Sequence, residues 1–214
     1  MVIRAPSGGG IHGGPYHSQN PEMWFVRTPG LKVVCPATAY DAKGLIKSAI
    51  RDNDPVLYFE HKGLYRRIKE DLPAEEYTVP IGKAKVVREG RDLSIITYGA
   101  MVWVALEAAG KLAEEGISVE VVDLRTLLPL DRDAVCESVK KTSKVLLLHE
   151  DTRTGGMAGE LAATITENVF EYLDGPVVRV TAPDTPIPYS APLEDAFLPN
   201  ADKVIEKARW LHRY

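Results

Sequence analysis

Leu93-Ser-Ile-Ile-Thr-Tyr-Gly-Ala-Met-Val-Trp-Val-Ala-Leu-Glu-Ala-Ala-Gly-Lys-Leu-Ala-Glu-Glu-Gly-Ile-Ser-Val-Glu-Val-Val122 reads as strand, turn, helix, strand. Leu93 to Thr97 is a short apolar run of strand length. Gly99 allows a tight turn. Val102, Ala105, Leu106, Ala109, Leu112 and Ala113 then recur at helical spacing, and Gly116 supplies a stop. Val119 to Val122 is the next strand. A strand returned to the same sheet through a helix is a parallel crossover unit.

The same alternation continues downstream. Asp131 caps a helix carrying Val135 and Val139, and Lys144-Val-Leu-Leu-Leu148 is a strand apolar on both faces. A helix from about Ala158 to Leu173 leads to a strand at Val177 to Val180. A Pro-rich loop (Pro183, Pro186, Pro188, Pro192) and a helix near 201–212 follow. The βαβαβαβ order defines a doubly wound α/β domain with right-handed crossovers.

Upstream, the pattern is α/β again but shorter. Met1-Val-Ile-Arg4 is strand-like, and a Gly-rich loop runs from Ser7 to His17. Asn20, Pro21 and Glu22 signal a helix start, Met23 to Val26 form its apolar body, and Pro29-Gly30 ends it. Leu31 to Cys35 is a strand, Thr38 to Arg51 a helix, and Val56 to Phe59 another strand. Residues 61–92 are polar and read as irregular. Three short strands and two helices leave sheet edges unpaired and uncovered. A strand at residue 1 therefore carries the expectation that the sequence lacks its N-terminal part; completion of the sheet by another chain is the alternative.

The 214 residues include 45% hydrophobic and 26% charged side chains, a soluble globular balance. Lys and Arg number 26 against 30 Asp and Glu, a net charge of −4, which argues against nucleic acid as the main ligand. No apolar run approaches the roughly 20 residues of a membrane span. Cys35 and Cys136 lie far apart in apolar settings and read as core thiols, so cytoplasm is the expected compartment. The charge is uneven: residues 1–92 hold 14 basic and 11 acidic side chains, residues 93–214 hold 12 and 19.

The densest chemical signal is Gly8-Gly-Gly-Ile-His-Gly-Gly-Pro-Tyr-His-Ser-Gln-Asn-Pro-Glu22. Glycines permit sharp bends and close approach to a ligand. His17 is expected just before a helix N-terminus, where the dipole disfavours imidazolium and a neutral imidazole can handle a proton. The simpler reading is a turn with a hydrogen-bonded histidine. His12 reads as a loop histidine. Asp52 and Asp54 straddle a helix end, which ordinarily faces water; with free carbonyls of the last turn they also make an oxygen set for a hard cation. Thr154-Gly-Gly-Met-Ala-Gly159 lacks a full dinucleotide fingerprint and fits close helix–sheet packing better. His149 and Glu150 close a strand at its carboxyl edge, where a buried, paired histidine is the ordinary reading. Arg125 is expected in an ion pair with a nearby carboxylate.

Long stretches together resemble one family. Arg4-Ala-Pro-Ser-Gly-Gly-Gly10, Tyr16-His-Ser-Gln-Asn-Pro-Glu22, Thr28-Pro-Gly-Leu-Lys-Val-Val34 and Tyr40 through Asp52 carry the likeness. Pro55-Val-Leu-Tyr-Phe-Glu-His-Lys62, Tyr77-Thr-Val-Pro-Ile-Gly-Lys-Ala84, Val121 through Asp131 and His149 through Gly156 extend it. The chain resembles the β chain of thiamine-diphosphate-dependent 2-oxo acid dehydrogenases. Phe59-Glu-His-Lys62 and Tyr77 through Lys83 look most like the branched-chain (2-oxoisovalerate) members, ahead of pyruvate ones.

The resemblance implies an oxidoreductase subunit that takes part in oxidative decarboxylation and acyl transfer to lipoamide. It implies thiamine diphosphate between chains, with magnesium held by an α chain, and an α2β2 heterotetramer in which two β chains meet. A further partner is the subunit-binding domain of the lipoyl acyltransferase. The implied fold is the rear part of a pyrimidine-binding α/β domain (1–75), a linker (76–92) and a transketolase C-terminal-like doubly wound domain (93–214). His17 takes the position of the active-site histidine, and a structural potassium site falls on the Ala49 carbonyl, Asp52 and Asp54. Family β chains begin well before Met1, in a segment that holds the aminopyrimidine-activating glutamate, so little or no decarboxylase activity is expected of these 214 residues, alone or mixed with an α chain. Two other readings stand beside it: a non-catalytic module whose acidic second unit binds the acyltransferase core, and a transketolase-like C-terminal domain with a regulatory ligand at Gly155-Gly156.

Overall fold

A computed structural model describes all 214 residues. The chain runs β1 (Val2–Ser7), α1 (Gly14–His17), α2 (Glu22–Val26), β2 (Lys32–Val34), α3 (Ala39–Arg51), β3 (Val56–His61) and α4 (Leu64–Arg67). It continues through β4 (Lys85–Arg88), β5 (Leu93–Thr97), α5 (Met101–Glu114), β6 (Val119–Asp123), β7 (Thr126–Leu128), α6 (Arg132–Thr142) and β8 (Val145–Thr152). The last elements are α7 (Met157–Val169) with a 3-10 turn at Phe170–Tyr172, β9 (Val178–Ala182), α8 (Ala191–Phe197) and α9 (Ala201–Arg213). No helix is long and apolar enough to cross a membrane.

Two sheets result. The larger has the order β4-β6-β5-β8-β9, with β6, β5, β8 and β9 parallel and β4 antiparallel on its edge. Side chains of alternate residues go to opposite faces. Leu93, Ile95, Val119, Val121, Leu146 and Leu148 pack with α5 and α9, while Ile96, Val122, Val145 and Leu147 pack with α6 and α7. Burial on both sides explains why these strands read as unbroken apolar runs. Helix caps fix the ends: Asp131 accepts from the Ala134 amide, and Asn200 Oδ1 accepts from the Lys203 amide at 3.0 Å.

The smaller sheet has the order β1-β3-β2-β7. β1, β3 and β2 are parallel, and β7 joins β2 antiparallel. One face packs on α3 through Val34, Leu45, Ala49, Val56, Tyr58 and Val79. The other merges with the α6–α7 side of the larger sheet, since Val33, Cys35, Leu57 and Phe59 share a core with Val135, Val139 and Leu161. α3 is capped by Thr38, whose hydroxyl accepts from the Asp41 amide at 3.0 Å.

Three expectations change. The edge of β2 is not left open, because β7, a three-residue strand from the later half of the chain, pairs with it. The 61–92 stretch is not irregular throughout: it carries α4 and β4, and Val79 within it is buried. The Pro-rich loop before α9 contains α8, in which Pro192 sits in the first turn, where a missing amide costs nothing. Cys35 is buried, Cys136 is half-buried, and both are free thiols.

Candidate functional site

In open α/β sheets ligands gather at the carboxyl ends of strands, at the point where strand order reverses. In the larger sheet that point lies between β5 and β8, which end on Thr97 and on the His149–Thr152 stretch. The carboxyl ends of β1 and β3 face it. The Gly-rich loop after β1 fills the seam between them.

Glu150 is the centre of this seam and is 7% exposed. Its Oε1 accepts from the Gly9 amide at 2.6 Å and from Asn20 Nδ2 at 2.8 Å, and its Oε2 lies 2.8 Å from His61 Nε2. Burial alone would raise this carboxyl. The His61 imidazole, with the Gly9 and Asn20 donors, outweighs burial and holds it below the usual carboxylate range. Other groups in the seam have fewer partners: Asp151 accepts only from the Thr152 amide, at 2.8 Å, and Glu22 Oε2 has none. Burial pushes Glu22 up to about 8, with the Asp151 and Glu150 charges adding to the effect. Asp151 rises to about 6 for the same leading reason. His149 is buried, finds no partner at either ring nitrogen, and is lowered to about 4.

The loop bends where side chains cannot follow. Gly8 has φ +90°, and a Cβ there would stand 2.2 Å from His61 Cδ2. Only glycine lets the loop lie against that ring. At the crest, His12 bonds Glu194 of α8 twice, through its amide at 3.0 Å and its Nδ1 at 2.7 Å. Expected as a plain loop histidine, His12 is instead an anchor.

His17 is exposed and is the last residue of the one-turn α1; its carbonyl accepts from Lys62 Nζ. The expectation that it precedes a helix N-terminus is corrected. Pro15 starts a separate helical turn, and the side chain of Asn20 is drawn to Glu150 rather than capping α2, which begins at Glu22. The peptide dipole at His17 thus has the opposite sense to the expected one.

Asp52 and Asp54 do converge, but around an ammonium. Lys32 Nζ lies 2.8 and 2.6 Å from the two Asp52 oxygens and 3.1 Å from Asp54 Oδ2, while the Ala49 carbonyl accepts from the Asp52 amide at 3.3 Å. With these oxygens committed, the set does not fit a potassium ion as it stands. No group of three or more His, Cys, Asp or Glu is placed to hold a metal.

Other expectations meet the structure directly. Arg125 pairs with buried Asp41 at 2.9 Å. A Cβ on Gly156 would stand 2.3 Å from the Thr152 carbonyl and 2.5 Å from His149 Cε1, so this turn is close packing. Sequence reading missed Glu22, His61 and Glu194 as seam residues. A cavity of about 420 Å³ opens beside the seam between α3 and α4, with Arg4, Glu60, Tyr65 and His61 in its wall. Arg4 Nη2 donates to Glu60 Oε2 at 2.8 Å there.

A small, mostly parallel sheet fused through a shared core to a doubly wound domain, with the two carboxyl edges facing, is the architecture of transketolase-type enzymes. The chain belongs to the transketolase family: residues 1–68 match the "Transketolase, pyrimidine binding domain" and residues 82–204 the "Transketolase, C-terminal domain". It is 53% identical over 215 aligned residues to the 2-oxoisovalerate dehydrogenase subunit beta of Bacillus subtilis, covering 100% of this chain and 66% of that one. It is 50% identical to the pyruvate dehydrogenase E1 component subunit beta of the same organism, covering 98% and 64%. A split gene transketolase, described as an inactive beta4 tetramer, superposes with a TM-score of 0.80 at 26% identity over 99% of this chain and 66% of that one. The chain thus spans just under two thirds of the length of the curated relatives it matches.

Proposed function

We propose that the chain serves as the β subunit of a 2-oxo acid dehydrogenase, acting on branched-chain 2-oxo acids ahead of pyruvate. The observation that carries this reading is the 53% identity to a 2-oxoisovalerate dehydrogenase β subunit along the entire chain, slightly above the 50% to its pyruvate counterpart. Its cofactor is thiamine diphosphate, and its partners are an α chain, which holds the diphosphate and magnesium, and a second β chain. The working compartment is the cytoplasm.

Bound thiamine diphosphate supplies the electron sink for loss of carbon dioxide. The chain's own residues fit one wall of a shared site. Tyr16 and His17 stand outward on an anchored loop, exposed to whatever a partner brings. An imidazole can act as both general acid and general base, and in this role His17 gives and takes the protons that accompany acyl transfer to lipoamide. Glu150, Lys62 and Glu194 hold the loop beneath it. The test is acyl transfer to lipoamide by the native β chain assembled with its α chain. Turnover of 2-oxoisovalerate above pyruvate supports the reading, and turnover of neither overturns it.

The charge division supports a role in assembly within the same enzyme. Residues 93–214 carry 19 acidic against 12 basic side chains; with Glu120, Asp123, Asp131, Glu150, Glu194 and Arg125 buried, 14 acidic and 11 basic ones remain at the surface, an acidic excess that suits a basic subunit-binding domain of a lipoyl acyltransferase. Binding measured between 50 and 500 mM salt should weaken steeply; salt-independent binding would contradict an electrostatic contact.

A further inference from the structure

The excursion that carries His17, residues 10–19, leaves the end of β1 and returns at the start of α2. Its two feet are Gly9 and Asn20, and both donate to the same atom, Glu150 Oε1, at 2.6 and 2.8 Å. The other oxygen of that carboxylate lies 2.8 Å from His61 Nε2 at the end of β3. Three donors from two elements therefore converge on one side chain that belongs to neither, since Glu150 stands on β8 of the larger sheet. Only a carboxylate offers two acceptor oxygens with enough lone pairs for three such donors. Because both feet share one oxygen, the span of the excursion is fixed from outside, whatever turns it makes within.

We propose that Glu150 is a positioning residue for His17: it sets where the loop, and with it the imidazole, stands at the seam between the two sheets. The inference rests on the reading of His17 given above and goes beyond it by assigning the control of its position to the second domain. Misplacement of a reacting group by about 1 Å can cost about a hundredfold in rate.

Two substitutions separate hydrogen bonding from packing. E150Q keeps an acceptor oxygen for Gly9 and Asn20, and its amide NH2 can donate to His61 Nε2 once that ring carries its proton on the unpartnered Nδ1. E150L keeps the bulk and loses the acceptor. Both are made in the native β chain assembled with its α chain, and hydrogen exchange of residues 8–20 is followed with kcat and KM. The proposal expects loop amides in E150L to exchange at least about tenfold faster, with kcat down about a hundredfold and KM within about threefold. It expects E150Q to remain near wild type in both. In an H17A background, E150L should cost little more, because the two act as a unit.

Equal loop protection and kcat in E150L and wild type would overturn the proposal. So would an E150L loss that is undiminished in the H17A background, which would mark a general structural effect. Full activity of H17A alone would instead overturn the role of His17, while the exchange of the loop amides would still decide whether Glu150 anchors them.

Discussion

Lys32 holds Asp52 at both carboxylate oxygens, at 2.8 and 2.6 Å, just where the chain leaves α3 and enters β3. Hydrogen bonding to this ammonium lowers the Asp52 carboxyl, and the Asp54 amide adds to the effect by donating to Oδ1 at 2.9 Å. Asp52 in turn raises the lysine. The resemblance had put potassium at this corner; the structure puts an internal cation there.

Stability in wild type should therefore be indifferent to potassium. Thermal midpoints in potassium chloride and in tetramethylammonium chloride at equal ionic strength are expected to agree. Lys32→Met should cost about 1 kcal/mol, the upper end for a partly exposed pair, and should make the midpoint rise with potassium. Potassium-specific stabilisation of the wild type would contradict this account.

Glu22 gives the fold a pH dependence of predictable sign. Its carboxyl is raised by burial to about 8 in the folded chain, against 4.5 when free. The folded state thus keeps a proton that the unfolded state loses, so the contribution is full below about pH 4.5 and is lost as pH rises through 8. Buried His149, lowered to about 4, acts in the opposite sense below its ordinary value of 6.5. Comparison of wild type with Glu22→Gln by urea unfolding isolates the glutamate. The two should be similar near pH 4.5, and the variant should be the more stable at pH 8.5 by a few kcal/mol. Parallel pH profiles would show that Glu22 does not hold its proton.

Gly44 reverses an ordinary rule. Replacing glycine by alanine inside a helix usually stabilises it by up to about 1 kcal/mol. In α3 the added Cβ would meet Val79 Cγ2 at 2.4 Å and the Val79 amide nitrogen at 2.9 Å. Gly44→Ala should destabilise by roughly 1–3 kcal/mol as the 78–80 segment is pushed off the helix. A higher unfolding midpoint for this variant would mean that the segment yields freely.

The larger domain was legible because its signals are local. Leu93 to Val122 shows strand, turn and helix within one window, and strands buried on both faces announce themselves as apolar runs. β7 and β4 were not legible: each is three or four residues long and exists through pairing with a distant strand. α8 lay hidden among prolines. At the site, the Gly-rich stretch and His17 stood out, whereas the groups that hold them did not. Glu150 lies 141 residues from Gly9, Glu194 lies 182 from His12, and His61 lies 89 from Glu150. No periodicity or spacing rule reaches across such distances; only the meeting of two sheets at their carboxyl edges brings these groups together. Family likeness, by contrast, pointed to His17 from the residues around it.

In the proposed function, His17 is the group this chain supplies to a 2-oxo acid dehydrogenase formed with an α chain. The most direct measurement is the steady-state rate of lipoamide acylation from 2-oxoisovalerate by the native β chain assembled with its α chain, with His17 and with His17→Ala. A fall in kcat of about a hundredfold or more is expected for the variant, with assembly and thermal midpoint unchanged because the side chain is exposed. Undiminished turnover by His17→Ala would contradict it.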